Sequence, residues 1–348
     1  MNITNFYIKN FRSHSVRQFN FQKGINVLVG ENGCGKTNIV EAIYYLSLAR
    51  SFRGVDDKDL IKIGTDLAEI NTTVKQNKIT KKIKIIITKE GRRIFIDNKP
   101  INKISELSNN INVIIFEPKD VDLFKGLPKY RRNFLDISLS KKSLVYLDYI
   151  TRYNRILKQR NDLLKNTNID QILLETNTDL LIKTSQKIIE YRSQYIKDII
   201  NILNKIIRAL TREENDIEII YKPYITPNKD FYLEAKELYK KSLEADIKQK
   251  STTIGIHRED FIVNYNGKDI ATYGSQGENR IVALCLKLAP YFSIEEEKKP
   301  IVILDDVLSE LDEMHQKQLL EFIKKFDQVF ITTTKLNTTD NVHCYQIK

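Results

Sequence analysis

The stretch Val27-Leu28-Val29-Gly30-Glu31-Asn32-Gly33-Cys34-Gly35-Lys36-Thr37-Asn38 leaves this chain few ways to fold. It has the spacing G-x-x-x-x-G-K-T, entered from an apolar run and followed by the helix-forming Ile39-Val40-Glu41-Ala42-Ile43-Tyr44-Tyr45-Leu46. A buried strand, a glycine-rich turn and a helix in that order make a phosphate-binding loop. Gly30, Gly33 and Gly35 let the backbone curl, so that successive N–H groups and the positive helix end surround a polyphosphate. Lys36 brings a full charge to the β- and γ-phosphates, and the Thr37 hydroxyl is placed for Mg²⁺. A chance glycine-rich turn is the bland alternative, but it requires neither the strand nor the helix. The whole run from Gly30 through Glu31, Asn32, Gly33, Cys34, Gly35, Lys36 and Thr37 to Asn38 is therefore the expected ATP cradle.

A second stretch answers the first from the far end of the chain. In Pro300-Ile301-Val302-Ile303-Leu304-Asp305-Asp306, four apolar residues bounded by proline predict a buried parallel strand. Two carboxylates then stand where open α/β sheets place ligand chemistry. Asp305 is the expected Mg²⁺ ligand and Asp306 the group that polarises the attacking water. Between the two lies Tyr273-Gly274-Ser275-Gln276-Gly277-Glu278-Asn279-Arg280, small residues opening a helix with an apolar face. Such a start is most often a simple cap. Ser275 and the N–H groups through Gly277 also suit an anion.

Composition narrows the partners. At 348 residues, with 41% apolar and 29% charged residues, the chain is long enough for two structural units. The formal charge of +11 favours a polyanionic partner. Cys34, Cys285 and Cys344 form no Cys-x-x-Cys pair, which argues against a disulfide framework or a zinc site. With no signal peptide and no apolar run near the ~20 residues of a membrane span, a cytoplasmic protein is expected.

Along the chain, residues 3–30 read as strands, a helix covers about 37–48, and 68–99 alternates again around a turn at Asp97-Asn98-Lys99. Asn112-Val113-Ile114-Ile115-Phe116 is a buried-strand candidate. From about residue 129 helical spacing takes over. Leu144, Leu147, Ile150, Ile156 and Leu157 make one stripe, and a longer one runs from Leu180 to Ile206. Residues 129–212 hold 17 Lys and Arg against 8 Asp and Glu, a net +9. Strand signals return in a hairpin turning at Asn266-Gly267. The expected division is a nucleotide-binding head from 1–128 and 250–348, with a basic, mostly helical arm over 129–249. Arg131, Arg132, Arg152, Arg155, Lys158 and Arg160 are the candidates for a DNA phosphate track, the alternative being solvated helix faces.

The phosphate loop, Ser-x-Gly signature and acidic strand, with Ser309-Glu310-Leu311-Asp312 after it, resemble the ABC-type ATPase head. Within that group the chain is similar to the RecF family of bacterial recombination mediators, related to SMC proteins. The resemblance spans Asn10-Phe11-Arg12, Gly30 to Arg53, Phe116 to Asp120, Arg131 to Asp136, His257 to Asp260, Ser275 to Arg280 and Leu304 to Asp312. It implies a head with mixed sheets and a homodimer closing around ATP and Mg²⁺. Arg12 joins the nucleotide contacts, Lys36, Asp306 and Ser275 are catalytic, and Ser275 and Gly277 reach the other copy's γ-phosphate. It also implies slow, DNA-stimulated hydrolysis used as a switch, binding to single-stranded, double-stranded and junction DNA, and work with RecO and RecR in loading RecA. Three departures stand out: Ile256 and Glu259 in place of proline and aspartate, His315 in place of arginine, and Thr332 or Thr333 where many such heads carry a histidine. The rival reading is the motor subunit of a membrane transporter, which shares the three motifs but predicts a short insert facing a membrane partner.

Overall fold

The computed structural model describes residues 1–77, 79–335 and 342–348. These residues form two compact units: 1–120 with 206–214 and 283–348, and 121–205 with 215–282.

The first unit is built on two sheets. One is wholly parallel, in the order Val342–Gln346, Gly24–Val29, Gln328–Thr333, Ile301–Asp305, Val113–Phe116. Ile301–Asp305 is buried along its whole length, as an unbroken apolar run requires when both faces are covered. The other sheet is antiparallel, in the order His14–Asn20, Asn2–Phe11, Leu67–Gln76, Ile79–Thr88, Gly91–Ile96, Lys99–Ile101. Asp97 and Asn98 take positive φ at the turn into its last strand. Helix Lys36–Leu48 shares a single apolar core with both sheets: Ile39, Val40, Ile43 and Leu46 pack with Phe6, Ile8 and Ile85 as well as Leu28, Val113 and Ile303. A helix apolar on nearly every face must be enclosed in this way. Buried Gln328 stitches the sheets together, donating through Nε2 to the carbonyls of Ile3 and Gln22, both at 2.8 Å, while its Oε1 accepts from Ile3 N–H at 2.7 Å.

The second unit contains helices Pro128–Lys142, Leu144–Leu163, most of Gln171–Thr211 and Phe231–Gln249. The expected stripe on the second of these is displaced. Leu144 is exposed, and the buried face runs through Tyr146, Ile150, Tyr153 and Ile156.

The compact units do not share the bounds of the expected division: one ends at Asp120, and residues 250–282 group with the helices. Strand pairing explains it: Asp260–Tyr265 pairs antiparallel with Ile217–Lys222 and with Lys268–Asp269, turning at Asn266-Gly267 as expected. The second unit is thus helical with a three-stranded sheet of its own.

Candidate nucleotide site

The loop leaves its strand at Gly30, where a Cβ would lie 2.4 Å from the Ile347 carbonyl oxygen, so only glycine lets the terminal strand close beside it. Gly35 has φ +94° and lies so close to His14 that a Cβ would be 2.5 Å from the ring Nε2. His14 is buried, which holds it below the usual imidazole range, and its Nε2 donates to the Gly35 carbonyl at 3.1 Å. The Lys36 ammonium donates to the carbonyls of Gly30 and Glu31, both at 2.7 Å, and lies 3.9 Å from the Cys34 sulfur. Glu31, Asn32 and Gly33 are exposed at the tip of the loop.

The acidic strand meets the loop's helix directly. Thr37 Oγ1 donates to Asp305 Oδ1 at 3.1 Å, and Thr332 Oγ1 donates to the same oxygen at 2.7 Å. Burial lifts the Asp305 carboxyl above the usual range, opposed by these two hydroxyls and by Arg53. A hydroxyl and a carboxylate converging at a strand end are hard oxygen donors of the kind Mg²⁺ takes, and a cation there would reverse the effect of burial. Asp306 follows with φ +50°, its N–H donating to Thr332 Oγ1 at 2.8 Å. Its half-exposed carboxylate accepts no hydrogen bond among the described residues. The Thr332 hydroxyl is therefore consumed between the Asp305 carboxylate and the Asp306 N–H, and Thr333 Oγ1 is spent on the Lys335 carbonyl at 2.7 Å.

Arg12 takes part in a different arrangement. It grips the fully buried Glu41 with both arms of its guanidinium, Nε to Oε2 at 2.9 Å and Nη2 to Oε1 at 2.7 Å. Ser51 also donates to Glu41, and Arg53 pairs with it at 3.5 Å while donating to Asn38 Oδ1 at 3.2 Å. Arg53 is thus a member of the loop's surroundings that motif reading left out, although the Arg-Ser-Phe-Arg run containing it is visible in the sequence.

Glu117 is a second omission. Phe116 pairs with Leu304, so Glu117 leaves its strand beside the acidic one. Burial, with Asp120 and Asp305 adding and Lys287 and Lys119 opposing, pushes it up to about 7. Glu117 closes the apolar strand Val113–Phe116 as Asp305 closes Ile301–Asp305, and the two carry the same sequence signal.

Ser275 and Gly277 belong to the second unit, at the exposed start of helix Gln276–Ser293. Ser275 Oγ accepts from the Glu278 N–H at 3.2 Å, and Glu278 Oε2 accepts from the Ser275 N–H at 2.8 Å. Asn279 is buried and donates through Nδ2 to the carbonyls of Gly274 and Ser275 at 2.9 and 2.7 Å. His315 Nδ1 lies 2.6 Å from Asp312 Oδ2 in the first turn of helix Glu313–Ile323.

The phosphate-track candidates divide. Arg131 is internal, a fork on Asp260 at 2.6 and 2.8 Å with Nη1 on the carbonyls of Leu123, Phe124 and Gly126. Arg160 is internal too, its side chain 1% exposed and bonded to Asp246, Thr252 and Thr178. Neither is free to contact DNA, since guanidinium groups already satisfied inside the protein do not reach a backbone phosphate. Arg132 is half-buried with Nη1 on the Glu259 carbonyl at 2.7 Å, whereas Arg152, Arg155 and Lys158 are exposed. The +9 of residues 129–212 overstates the surface charge as well. Arg131, Arg160 and Arg192 are paired with Asp260, Asp246 and Glu259, which lie outside that window.

Among the described residues no helix is long and apolar enough to cross a membrane. Residues 2–347 match the family model described as the RecF/RecN/SMC N-terminal domain. The DNA replication and repair protein RecF of Clostridium novyi (strain NT) is 38% identical over 97% of this chain and 94% of its own length. That of Oceanobacillus iheyensis is 37% identical over the same shares. A solved structure of the recombination mediator protein RecF with ATP, described as part of the RecFOR pathway, superposes with a TM-score of 0.89 at 32% identity, covering 99% of this chain and 95% of that one. An SMC head bound to a ScpA domain shares the fold at TM-score 0.57 and 16% identity, over 96% of this chain and 90% of that one.

Proposed function

The chain belongs to the RecF branch of the RecF/RecN/SMC family, and from that premise we propose that it is an ATP-switched, DNA-binding mediator of recombinational repair. The observation that carries the reading is the meeting of Thr37, Asp305 and the uncommitted Asp306 beside the Lys36 loop. Lys36 and the loop N–H groups bind the phosphates, and Thr37 and Asp305 would hold Mg²⁺, which would supply neutralisation of phosphate charge. Asp306 accepts a proton from the attacking water. A single copy has donors on one side of the γ-phosphate; Ser275 and Gly277 of a second copy supply the other side, so ATP closes a homodimer and hydrolysis releases it. With no histidine at Thr332, hydrolysis is slow and DNA accelerates it. The dimer holds single-stranded, double-stranded and junction DNA in the cytoplasm through Arg152, Arg155 and Lys158. RecO, RecR and RecA are its partners by extension from the relative placed in the RecFOR pathway.

Sedimentation with Mg²⁺ and a non-hydrolysable ATP analogue tests the switch. Wild type becomes a dimer, Lys36→Ala remains a monomer and binds no nucleotide, and Asp306→Asn dimerises with ATP but turns it over at least about 100-fold more slowly. A wild type that stays monomeric at saturating analogue overturns the reading, and an Asp306→Asn that hydrolyses ATP normally removes Asp306 as the base.

A further inference from the structure

The helix that opens at Ser275 carries its own anion. Ser275 and Glu278 satisfy each other reciprocally, Ser275 N–H to Glu278 Oε2 at 2.8 Å and Glu278 N–H to Ser275 Oγ at 3.2 Å. The same helix start is the place where the proposed function brings a second copy's nucleotide. The N–H groups of Gln276 and Gly277, in the first helical turn, have no intrahelical acceptor. Ser275, Gln276 and Gly277 are all exposed.

Two observations indicate that this end is shaped for something arriving from outside. A Cβ built on Gly277 meets nothing within 4 Å, and the residue has no positive φ, so nothing inside the chain demands glycine there. By contrast, a Cβ on Gly274 would strike the Ile270 carbonyl oxygen at 2.6 Å, an internal reason for that glycine. Asn279 is 4% exposed, and its Nδ2 grips the carbonyls of Gly274 and Ser275 while its Oδ1 has no hydrogen-bond partner among the described residues. This buried amide ties the residues before the helix to its first turn and fixes Ser275 in place at the cost of an unsatisfied oxygen.

Against this background Glu278 has two effects. As an acceptor it completes the helix cap. As a charge, with no ion-pair partner among the described residues, it places one negative unit at the point where another must dock. Resting on the dimeric reading above, we propose that Glu278 is the built-in competitor of the γ-phosphate: its carboxylate holds the Ser275 N–H in the open form, and nucleotide-driven pairing has to displace it. Glu278 is a positioning residue that sets how much triphosphate is needed for closure. It keeps copies apart at low nucleotide and makes closure depend on the full charge of a triphosphate.

The test titrates wild type, Glu278→Gln and Glu278→Ala with a non-hydrolysable ATP analogue and Mg²⁺, reading dimer by sedimentation and nucleotide binding to dilute monomer by fluorescence. Glutamine keeps an acceptor for the Ser275 N–H and removes the charge; alanine removes both. Both variants are expected to reach half-dimer at analogue concentrations lower by up to about tenfold, with monomer binding unchanged. The shift shrinks at high salt, which screens the repulsion. A purely structural cap predicts the opposite order, with glutamine equal to wild type and alanine weaker, and that result overturns the proposal. If wild type itself never dimerises, the dimeric reading fails and this inference goes with it; if only the variants fail to shift, the dimer stands and the gate alone is lost. Thermal melts of both variants confirm that each is folded at the assay temperature.

Discussion

Each unit buries an ionic cluster, and the two differ in whether the arginine is enclosed with its glutamate or left on the rim. In the first unit the enclosed member is an anion: the Glu41 side chain is 0% exposed, and around it stand Arg12 at 17% and Arg53 at 33%. In the second a cation and an anion are enclosed together, Arg192 at 1% and Glu259 at 0% exposure, with Asp136 at 24%. Asp136 and Glu259 neutralise the guanidinium, Tyr146 accepts from its Nε, and Tyr221 donates to Glu259. A guanidinium on the rim of a cluster can exchange its carboxylate for an incoming phosphate, whereas one at the centre has nothing to exchange. The same residue types therefore stand partly exposed beside the phosphate loop and enclosed among the helices.

The sharpest way to break this contrast is to delete the centre of each cluster. Arg192→Ala leaves Glu259 and Asp136 without their cation and is expected to cost about 3–5 kcal/mol in urea unfolding. Glu41→Gln leaves two arginines that already touch water, at a cost of about 1–2 kcal/mol, and a folded protein that still binds nucleotide. Equal losses of stability, or loss of nucleotide binding by a folded Glu41→Gln, would erase the distinction.

A smaller effect sharpens the enclosed side. His257 accepts from the Tyr153 hydroxyl at Nδ1 and donates from Nε2 to the Thr252 carbonyl, both at 2.9 Å, which only the neutral ring can do. Burial pushes it down to about 4, with the Thr252 carbonyl opposing and the nearby Arg258 and Arg132 adding. The unfolded chain takes up the proton near pH 6.5 and the folded one near pH 4. Stability from this residue is therefore complete above pH 6.5 and lost as pH falls through that window, to a total of about 3 kcal/mol. Urea midpoints of wild type and His257→Gln at pH 7.5 and 5 measure it, and parallel pH dependence in both would refute it.

The two sides also differ in how much could be read beforehand. The phosphate loop is local: strand, glycines, lysine and helix lie within one short run, although Gly30 also answers to the distant Ile347 carbonyl. The hairpin at Asn266-Gly267 is local too, and both residues take positive φ. The ion pairs of the second unit are not local at all. Arg131, Arg160 and Arg192 find their carboxylates 129, 86 and 67 residues away, so nothing near them in sequence marks them as internal. Leucine spacing on Leu144–Leu163 misled for a related reason, because tyrosines with a polar tip to satisfy supplied the buried face. Glu117 was overlooked because its neighbour in the sheet, the acidic strand, comes nearly two hundred residues later.

The smallest effect separates arginines that meet solvent from those that brace the unit. Arg152, Arg155 and Lys158 sit three residues apart on one exposed face of their helix, within reach of successive phosphates if DNA lies along it. Each single alanine change should cost less than about 1 kcal/mol of DNA affinity and lower the salt slope by up to roughly 0.9. Folding should be untouched, because surface changes away from structural features stay within about 0.5 kcal/mol. Arg160→Ala should do the reverse: it leaves Asp246 buried and unpaired, lowers the melting temperature, and keeps the slope of log affinity against log salt for whatever protein remains folded. A filter-binding series from low to moderate salt, with melts of the same preparations, decides between them. If the slope is unchanged in the triple variant Arg152→Ala, Arg155→Ala, Lys158→Ala, DNA does not follow this helix, and the exposed charge here is solvation alone.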